Sequence, residues 1–188
     1  MAKIEKELYN SLKEIKIERE EIFEGAIVHL VRDTVIIPNG ARATREVCLH
    51  HGAVCVVPVT EDGEIIMERQ FRYPFNEVLW EIPAGKLDKD EFDHLEAAKR
   101  ELREETGYTA ENYTFLGEYY PSPAILSENI HMYLATGLKK GEQDLDEDEF
   151  LDVVKVPLDD VVKMIMNNEI QDGKTQAAVL KAKLILGK

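Results

Sequence analysis

The apolar run from Val78 to Ile82 ends at Pro83-Ala84-Gly85, a polar loop follows, and helical periodicity begins at Asp93 and lasts to Thr106. Leu95, Ala98 and Leu102 form one apolar stripe on that helix, Asp93 and Glu96 form an N-terminal capping pair, and Gly107 is a natural stop. The helix therefore carries its side chains back toward the broken end of the strand. In Arg100-Glu101-Leu102-Arg103-Glu104-Glu105-Thr106-Gly107, Glu101 lies three residues from Glu104 and four from Glu105, which places all three carboxylates on one face. Like charges at this spacing cost on the order of a few tenths of a kcal/mol per pair in water, and more as water leaves. A cation between them removes that cost, and hard divalent ions such as Mg²⁺ take oxygen ligands while keeping waters and substrate phosphates. A glutamate-rich helix is most often a solvated face. The loop and strand before this one turn it into a loop-helix unit with oxygen ligands at its mouth.

Charge limits what such a site serves. The 188 residues hold 37 acidic and 23 basic side chains, a formal charge of −14, which opposes docking on nucleic acid or on an anionic membrane. A small anionic substrate is still accommodated if part of the acid excess holds divalent cations facing it. Cys48 and Cys55 match no metal or redox spacing and read as buried thiols. The first twenty residues are charged throughout and no run is long and apolar enough to span a bilayer, so the expected setting is reducing and cytoplasmic. The five histidines form no cluster and read as structural, and no arrangement suggests a covalent nucleophile.

Elsewhere the pattern is mostly β. Ile4, Leu8, Leu12 and Ile15 recur at helical intervals, predicting a short opening helix. IFEGAIVHLV and TVII follow, bounded by Asp33 and by the turn Pro38-Asn39-Gly40. Strands are then expected at Ala53 to Val59, Ile65 to Gln70, Val78 to Ile82, Thr114 to Tyr120, His131 to Thr136 and Leu151 to Val156. Pro157 suits the first turn of a helix whose apolar face is Val161, Met164 and Ile165, and a last helix runs from about Thr175 to Leu186. The expected class is α/β in the α+β sense, a mixed sheet between helices with a small N-terminal antiparallel β unit. Residues 1–47 form that unit and residues 48–188 the main domain.

The helix and its loop resemble the box of the Nudix hydrolase family: a glycine, a loop glutamate, then Arg-Glu-apolar-x-Glu-Glu-x-Gly-apolar. This chain supplies Gly85, Glu91, Arg100, Glu101, Leu102, Glu104, Glu105, Gly107 and Tyr108. Gly85 to Arg100 is one residue longer than the family's spacing, so Asp90 and Glu91 both stand as the loop acid. The resemblance implies that Glu101 and Glu105 bind metal with the Ala84 carbonyl, that Glu104 assists, and that Arg100 orients the carboxylates. It implies Mg²⁺, with Mn²⁺ as an alternative, and attack of an activated water on a diphosphate.

From about Ile22 to Lys183 the chain is similar to the ADP-ribose pyrophosphatase branch, which implies hydrolysis of ADP-ribose to AMP and ribose 5-phosphate. Ser122-Pro123-Ala124-Ile125-Leu126-Ser127-Glu128 matches the branch's proline segment and makes Glu128 the candidate for the terminal ribose. Arg72, in Glu68-Arg69-Gln70-Phe71-Arg72-Tyr73, is the candidate diphosphate contact. Glu81 is a candidate metal or ribose contact, with an ordinary exposed strand position as its alternative, and Arg45 a candidate near the adenine. The acidic run Asp144 to Phe150 matches a loop that delivers the base, with Glu147 the candidate base and Glu149 a further metal ligand, or the reverse. The branch also implies a homodimer paired through Ile22 to Ile37. Two rivals stand beside this reading: a pyrophosphatase of another nucleotide sugar, such as ADP-glucose, GDP-mannose or UDP-glucose, and a non-catalytic module that senses ADP-ribose. Intact box acids argue against the second.

Overall fold

A computed structural model describes residues 9–89 and 91–187, which fall into two compact units. Residues 1–50 and 122–128 make up the first unit, and residues 51–121 and 129–188 the second. Ile4 and Leu8 of the expected opening helix lie outside the described residues; residues 9–12, which include Leu12, are helical as expected, and Ile15 already begins a strand.

The first unit is an antiparallel meander of β1 (Ile15–Glu24), β2 (His29–Ile36) and β3 (Arg42–Leu49). The turn at Pro38-Asn39-Gly40 joins β2 to β3 as expected: Gly40 has φ 85° and its N–H donates to Ile37 O at 2.8 Å. Asp33 is not a boundary. It sits inside β2, buried and directly opposite Arg19 of β1, whose Nε and Nη2 each reach a carboxylate oxygen at 2.7 Å. A fork-to-fork pair of this kind satisfies a carboxylate within a sheet. The break falls instead at Gly25, whose N–H donates to Val28 O at 2.8 Å. The segment 122–128 joins this unit through Cys48, whose N–H donates to Ile125 O while its carbonyl accepts from Ser127.

Among its described residues the second unit holds two sheets and three helices. One sheet is mixed, in the order β7 (Ala84–Lys86), β4 (Ala53–Pro58), β9 (Ile130–Lys140), β8 (Tyr108–Tyr119), with β4 and β9 parallel. The other is antiparallel, in the order β10 (Leu151–Pro157), β5 (Glu64–Arg72), β6 (Glu77–Glu81). All six residues of β4 are buried because both faces are covered. Cys55 and Val57 share a core with Leu158, Val161 and Ile165 of α2 (Leu158–Met166) and Ala178 and Val179 of α3 (Gly173–Leu186). Val54 and Val56 face the other way, onto Ala97, Ala98 and Leu102 of α1 (His94–Thr106). The mixed sheet thus lies between helices, as the periodicity predicts, and each fully buried Leu or Val contributes about 1.5–3 kcal/mol.

Three expectations need adjustment. Strand β8 begins at Tyr108, directly after the helix stop, and its register shift between Phe115 and Gly117 hides the early half from simple alternation. Pro157 closes β10 and precedes α2 by one residue. Cys48 is half-buried, whereas Cys55 is fully buried and its thiol is pushed up to about 12 by burial.

Candidate active site

Helix α1 is fixed at both ends. Asp93 Oδ1 accepts the N–H groups of Leu95 and Glu96, and Gly107, at φ 74°, donates its N–H to Arg103 O. Its buried stripe includes Ala98, Glu101, Leu102 and Glu105, so two carboxylates occupy positions where a core-facing helix ordinarily places apolar side chains. Glu105 is 4% exposed and accepts the N–H of Ala84 at 2.8 Å. A Cβ built on Gly85 would fall inside the Glu101 carboxylate, so only glycine lets Glu101 lie against this loop.

Arg100 clamps the acids from the other side. Its Nη1 is 2.8 Å from Glu101 Oε1 and 3.0 Å from Glu104 Oε2, and its Nη2 reaches Glu91 Oε2 at 3.0 Å. Glu91 also accepts the Asp88 N–H, while Asp90 lies outside the described residues.

A second ionic cluster stands on β5 and β6. Arg72 Nε and Nη2 grip the two oxygens of Glu81 at 2.5 and 2.7 Å. Glu81 is 3% exposed, which corrects the exposed-strand alternative, because Lys174 at the start of α3 also donates to it. Lys174 in turn reaches Asp172 at 3.0 Å, and Thr175 Oγ1 accepts the Ile82 N–H. Directly opposite Glu81 across the strand pair is Glu68, equally buried, whose Oε1 has no partner.

The acidic segment is tied to the last turn of α1. Asp144 N–H donates to Glu104 O at 3.0 Å, Gln143 Nε2 to Glu105 O at 2.6 Å, and Gly141 N–H to Gly107 O at 2.6 Å. These donors serve helix-terminal carbonyls that have no partner within the helix. Glu149 is half-buried and accepts a hydrogen bond from Gln70.

Arg72, Ala84, Arg100, Glu101, Glu104, Glu105 and Glu149 line one cleft of about 370 Å³, together with Gln70, Gly85, Asp144 and Asp146. Burial, and then the charges of neighbouring acids, push the Glu105 and Glu68 carboxyls far above the ordinary carboxylate range. Glu101 rises to about 7, chiefly through burial, and Glu149 is raised for the same first reason. Among the described residues no three acidic side chains close on one point. Arg100 draws Glu101 and Glu104 to one side, and Arg72 and Lys174 draw Glu81. Even so, mutually repelling carboxylates, an orphaned buried oxygen and a glycine-cleared loop make up the oxygen donor set that a hard divalent cation requires, so the residues fit one.

The remaining candidates are Glu147, Arg45 and Glu128. Glu147 is exposed and outside the cleft lining, although its neighbour Asp146 lines it. Arg45 and Glu128 belong to the first unit, where Arg45 pairs with Glu14 and Glu128 lies 3.6 Å from His50 Nε2. The sequence alone assigns no role to Glu68, Lys174, Asp172 or Gln143. Glu68 shares a two-residue period with Gln70 and Arg72, which is a usable signal, whereas nothing in Asp172-Gly173-Lys174-Thr175 marks a buried lysine.

The family model for the NUDIX domain matches residues 49–178. The chain is 44% identical over 171 residues to the ADP-ribose pyrophosphatase of Bacillus subtilis (strain 168), covering 90% of this chain and 92% of that one. It is also 44% identical over 169 residues to the methanol dehydrogenase activator of Bacillus methanolicus, covering 89% and 91%. The crystal structure of an ADP compounds hydrolase superposes with a TM-score of 0.81 over 93% of this chain and 95% of that one; at 23% identity this speaks for the fold. The matched span contains the α1 acids, the loop at Pro83-Ala84-Gly85 and the Arg100 clamp, and the chain belongs to the Nudix family.

Proposed function

We propose that this protein is a divalent-cation-dependent pyrophosphohydrolase that converts ADP-ribose and water to AMP and ribose 5-phosphate. The observation that carries the reading is the pair Glu101 and Glu105 on the buried stripe of α1, lining a cleft with Arg72. Burying two carboxylates side by side has a cost that a bound cation offsets. The substrate follows from kinship with the B. subtilis ADP-ribose pyrophosphatase, which spans nearly the whole chain.

In this reading Glu101, Glu105, Glu149 and the Ala84 carbonyl hold Mg²⁺ or Mn²⁺, and Glu104 assists. When bound, the cation lowers the pKa of an attacking water and offsets charge on the diphosphate. Arg72, its direction fixed by Glu81, offers N–H donors to the diphosphate oxygens. Arg100 sets the spacing of Glu101 and Glu104 while Glu91 holds it from behind. Glu147, next to the lining residue Asp146, takes the proton from water as the water oxygen bonds to one phosphorus and the bond from that phosphorus to the bridging oxygen breaks, the bridging oxygen leaving with the other phosphate. Glu128 and Arg45 remain the candidates for the ribose and adenine ends.

Three further parts of the reading have their own support. The net charge of −14 favours a small nucleotide-sugar substrate over nucleic acid or a membrane surface. No described helix is long and apolar enough to cross a membrane, and the free thiols of Cys48 and Cys55 accord with a reducing, cytoplasmic setting. Residues 1–47 serve as a dimerisation unit: β1 is exposed along its whole length and carries Ile15, Ile17, Ile22 and Phe23. Sedimentation at micromolar concentration should give a dimer, and a monomer alone would refute that part.

The test of substrate is incubation with Mg²⁺ and ADP-ribose, ADP-glucose, GDP-mannose or 8-oxo-dGTP, with products separated by chromatography. AMP from ADP-ribose well ahead of the others is expected; turnover of none of the four would overturn the enzyme reading. The equal identity to the methanol dehydrogenase activator favours a second reading, in which the same protein also activates a methanol dehydrogenase. An unchanged dehydrogenase rate on adding the protein with Mg²⁺ would dismiss it.

A further inference from the structure

We propose that Glu68 is an additional ligand of the divalent cation, facing the acids of α1 from the sheet side. The inference rests on the cation-dependent reading above and adds to it a residue on β5, outside the helix and its loop.

Side chains two apart on a strand share a face, so Ile66, Glu68, Gln70 and Arg72 project together from β5. Ile66 packs in the core that contains Leu102 of α1, while Gln70 and Arg72 line the cleft. Glu68 therefore stands where the apolar core gives way to the cleft, just as Glu105 follows Leu102 on the facing helix.

The positive charges near it, Lys174 and Arg72, do not offset its burial and the neighbouring acids Glu81 and Glu149. Glu68 is 3% exposed and opposes Glu81 directly across the strand pair, an arrangement of like charges that destabilises a sheet. Arg72 and Lys174 are bound to Glu81, and Oε1 of Glu68 has no donor at all. A buried carboxylate without a partner is costly. Glu68 and Glu101 are both charged neighbours of Glu105. A single cation between Glu68 and Glu105 relieves both, and a proton on Glu68 would instead leave the cation with the helix acids alone.

The test measures Mn²⁺ alone, by the loss of its free-ion paramagnetic resonance signal, on the full chain stripped of metal, with melting temperatures recorded alongside. In Glu68→Gln and Glu68→Met, Mn²⁺ affinity should fall by about tenfold or more, a loss typical of groups supporting a metal site. The melting temperature without metal should hold or rise, since a repelling charge is gone, and the gain on adding Mn²⁺ should shrink. Wild-type Mn²⁺ affinity in both folded variants would overturn the proposal, as would an equal fall in melting temperature with and without Mn²⁺. Glu105→Gln separates the two readings. If it loses Mn²⁺ while both Glu68 variants keep it, only the role of Glu68 fails; if the wild-type chain binds none, the cation reading fails as well.

Discussion

The carboxylate of Glu105 accepts the backbone N–H of Ala84 at 2.8 Å, joining the last turn of α1 to the loop that ends β6. One oxygen of the acid is thereby spent on holding the loop and the other is left for the cleft. Replacing Glu105 by Gln keeps an acceptor for Ala84 but removes the charge. Activity should fall by about a hundredfold or more, while the melting temperature without metal stays the same or rises because a buried charge has gone. A folded Glu105→Gln enzyme with near wild-type turnover would remove Glu105 from the site.

Gly85 tests the same geometry from the loop side. A methyl group there would occupy the space of the Glu101 carboxylate. Gly85→Ala should therefore raise the Mg²⁺ concentration needed for half-maximal rate by about tenfold, as displaced support of a metal ligand does. The fold should survive, since the acid is the end of a flexible side chain. An unchanged Mg²⁺ requirement would show that Glu101 does not need its place against Gly85.

Lys174 should matter for both stability and substrate binding. It is one of two cations on the buried carboxylate of Glu81, which aims Arg72. Lys174→Met should cost about 3 kcal/mol by urea unfolding, the lower end for breaking a buried pair because Arg72 remains. KM for ADP-ribose should rise more than kcat falls, since Arg72 meets the diphosphate before and during reaction. A variant as stable as the wild type would show that Arg72 alone neutralises Glu81.

Stability should depend on pH across neutrality without metal and lose that dependence with it. Burial pushes Glu101 up to about 7 and Glu105 higher still. A carboxyl whose pKa is higher in the folded state favours the fold while protonated; that contribution is full below the ordinary carboxylate range and is lost as pH rises through the folded pKa. With EDTA, melting temperature should fall as pH rises through about 7, and saturating Mg²⁺ should abolish the fall, because ligands must shed protons to bind. Asp33 and Glu91, lowered by Arg19 and Arg100, act the other way, but only in acid. A flat EDTA profile across neutrality would contradict the burial of these acids as uncompensated charges.

How much of this was legible beforehand varies with the kind of signal. The helix, its Asp93 cap and its Gly107 stop were readable because capping and periodicity are local, and so were Glu101 and Glu105, whose spacing puts them on one face. Asp33 was misread as a break because its partner Arg19 is fourteen residues away, on another strand. For a related reason the shared period of Glu68 with Gln70 and Arg72 marks its face but not its burial, and nothing in the sequence marks Lys174. A lone glutamate in a strand ordinarily faces water, and a lysine after a helix cap ordinarily does too, so only the packing of β5, β6 and α3 reveals that both are buried around Glu81.

The central claim, that buried acids on α1 hold a cation for diphosphate hydrolysis, is tested most directly by AMP release from ADP-ribose. It should be followed as Mg²⁺ is titrated into metal-free wild type and into the Glu101→Gln, Glu105→Gln double variant. Wild type should show no release in EDTA and saturable release of AMP with equimolar ribose 5-phosphate as Mg²⁺ is added, while the folded double variant stays near background at every concentration. Equal release by both proteins, or release by wild type that EDTA leaves untouched, would contradict the account.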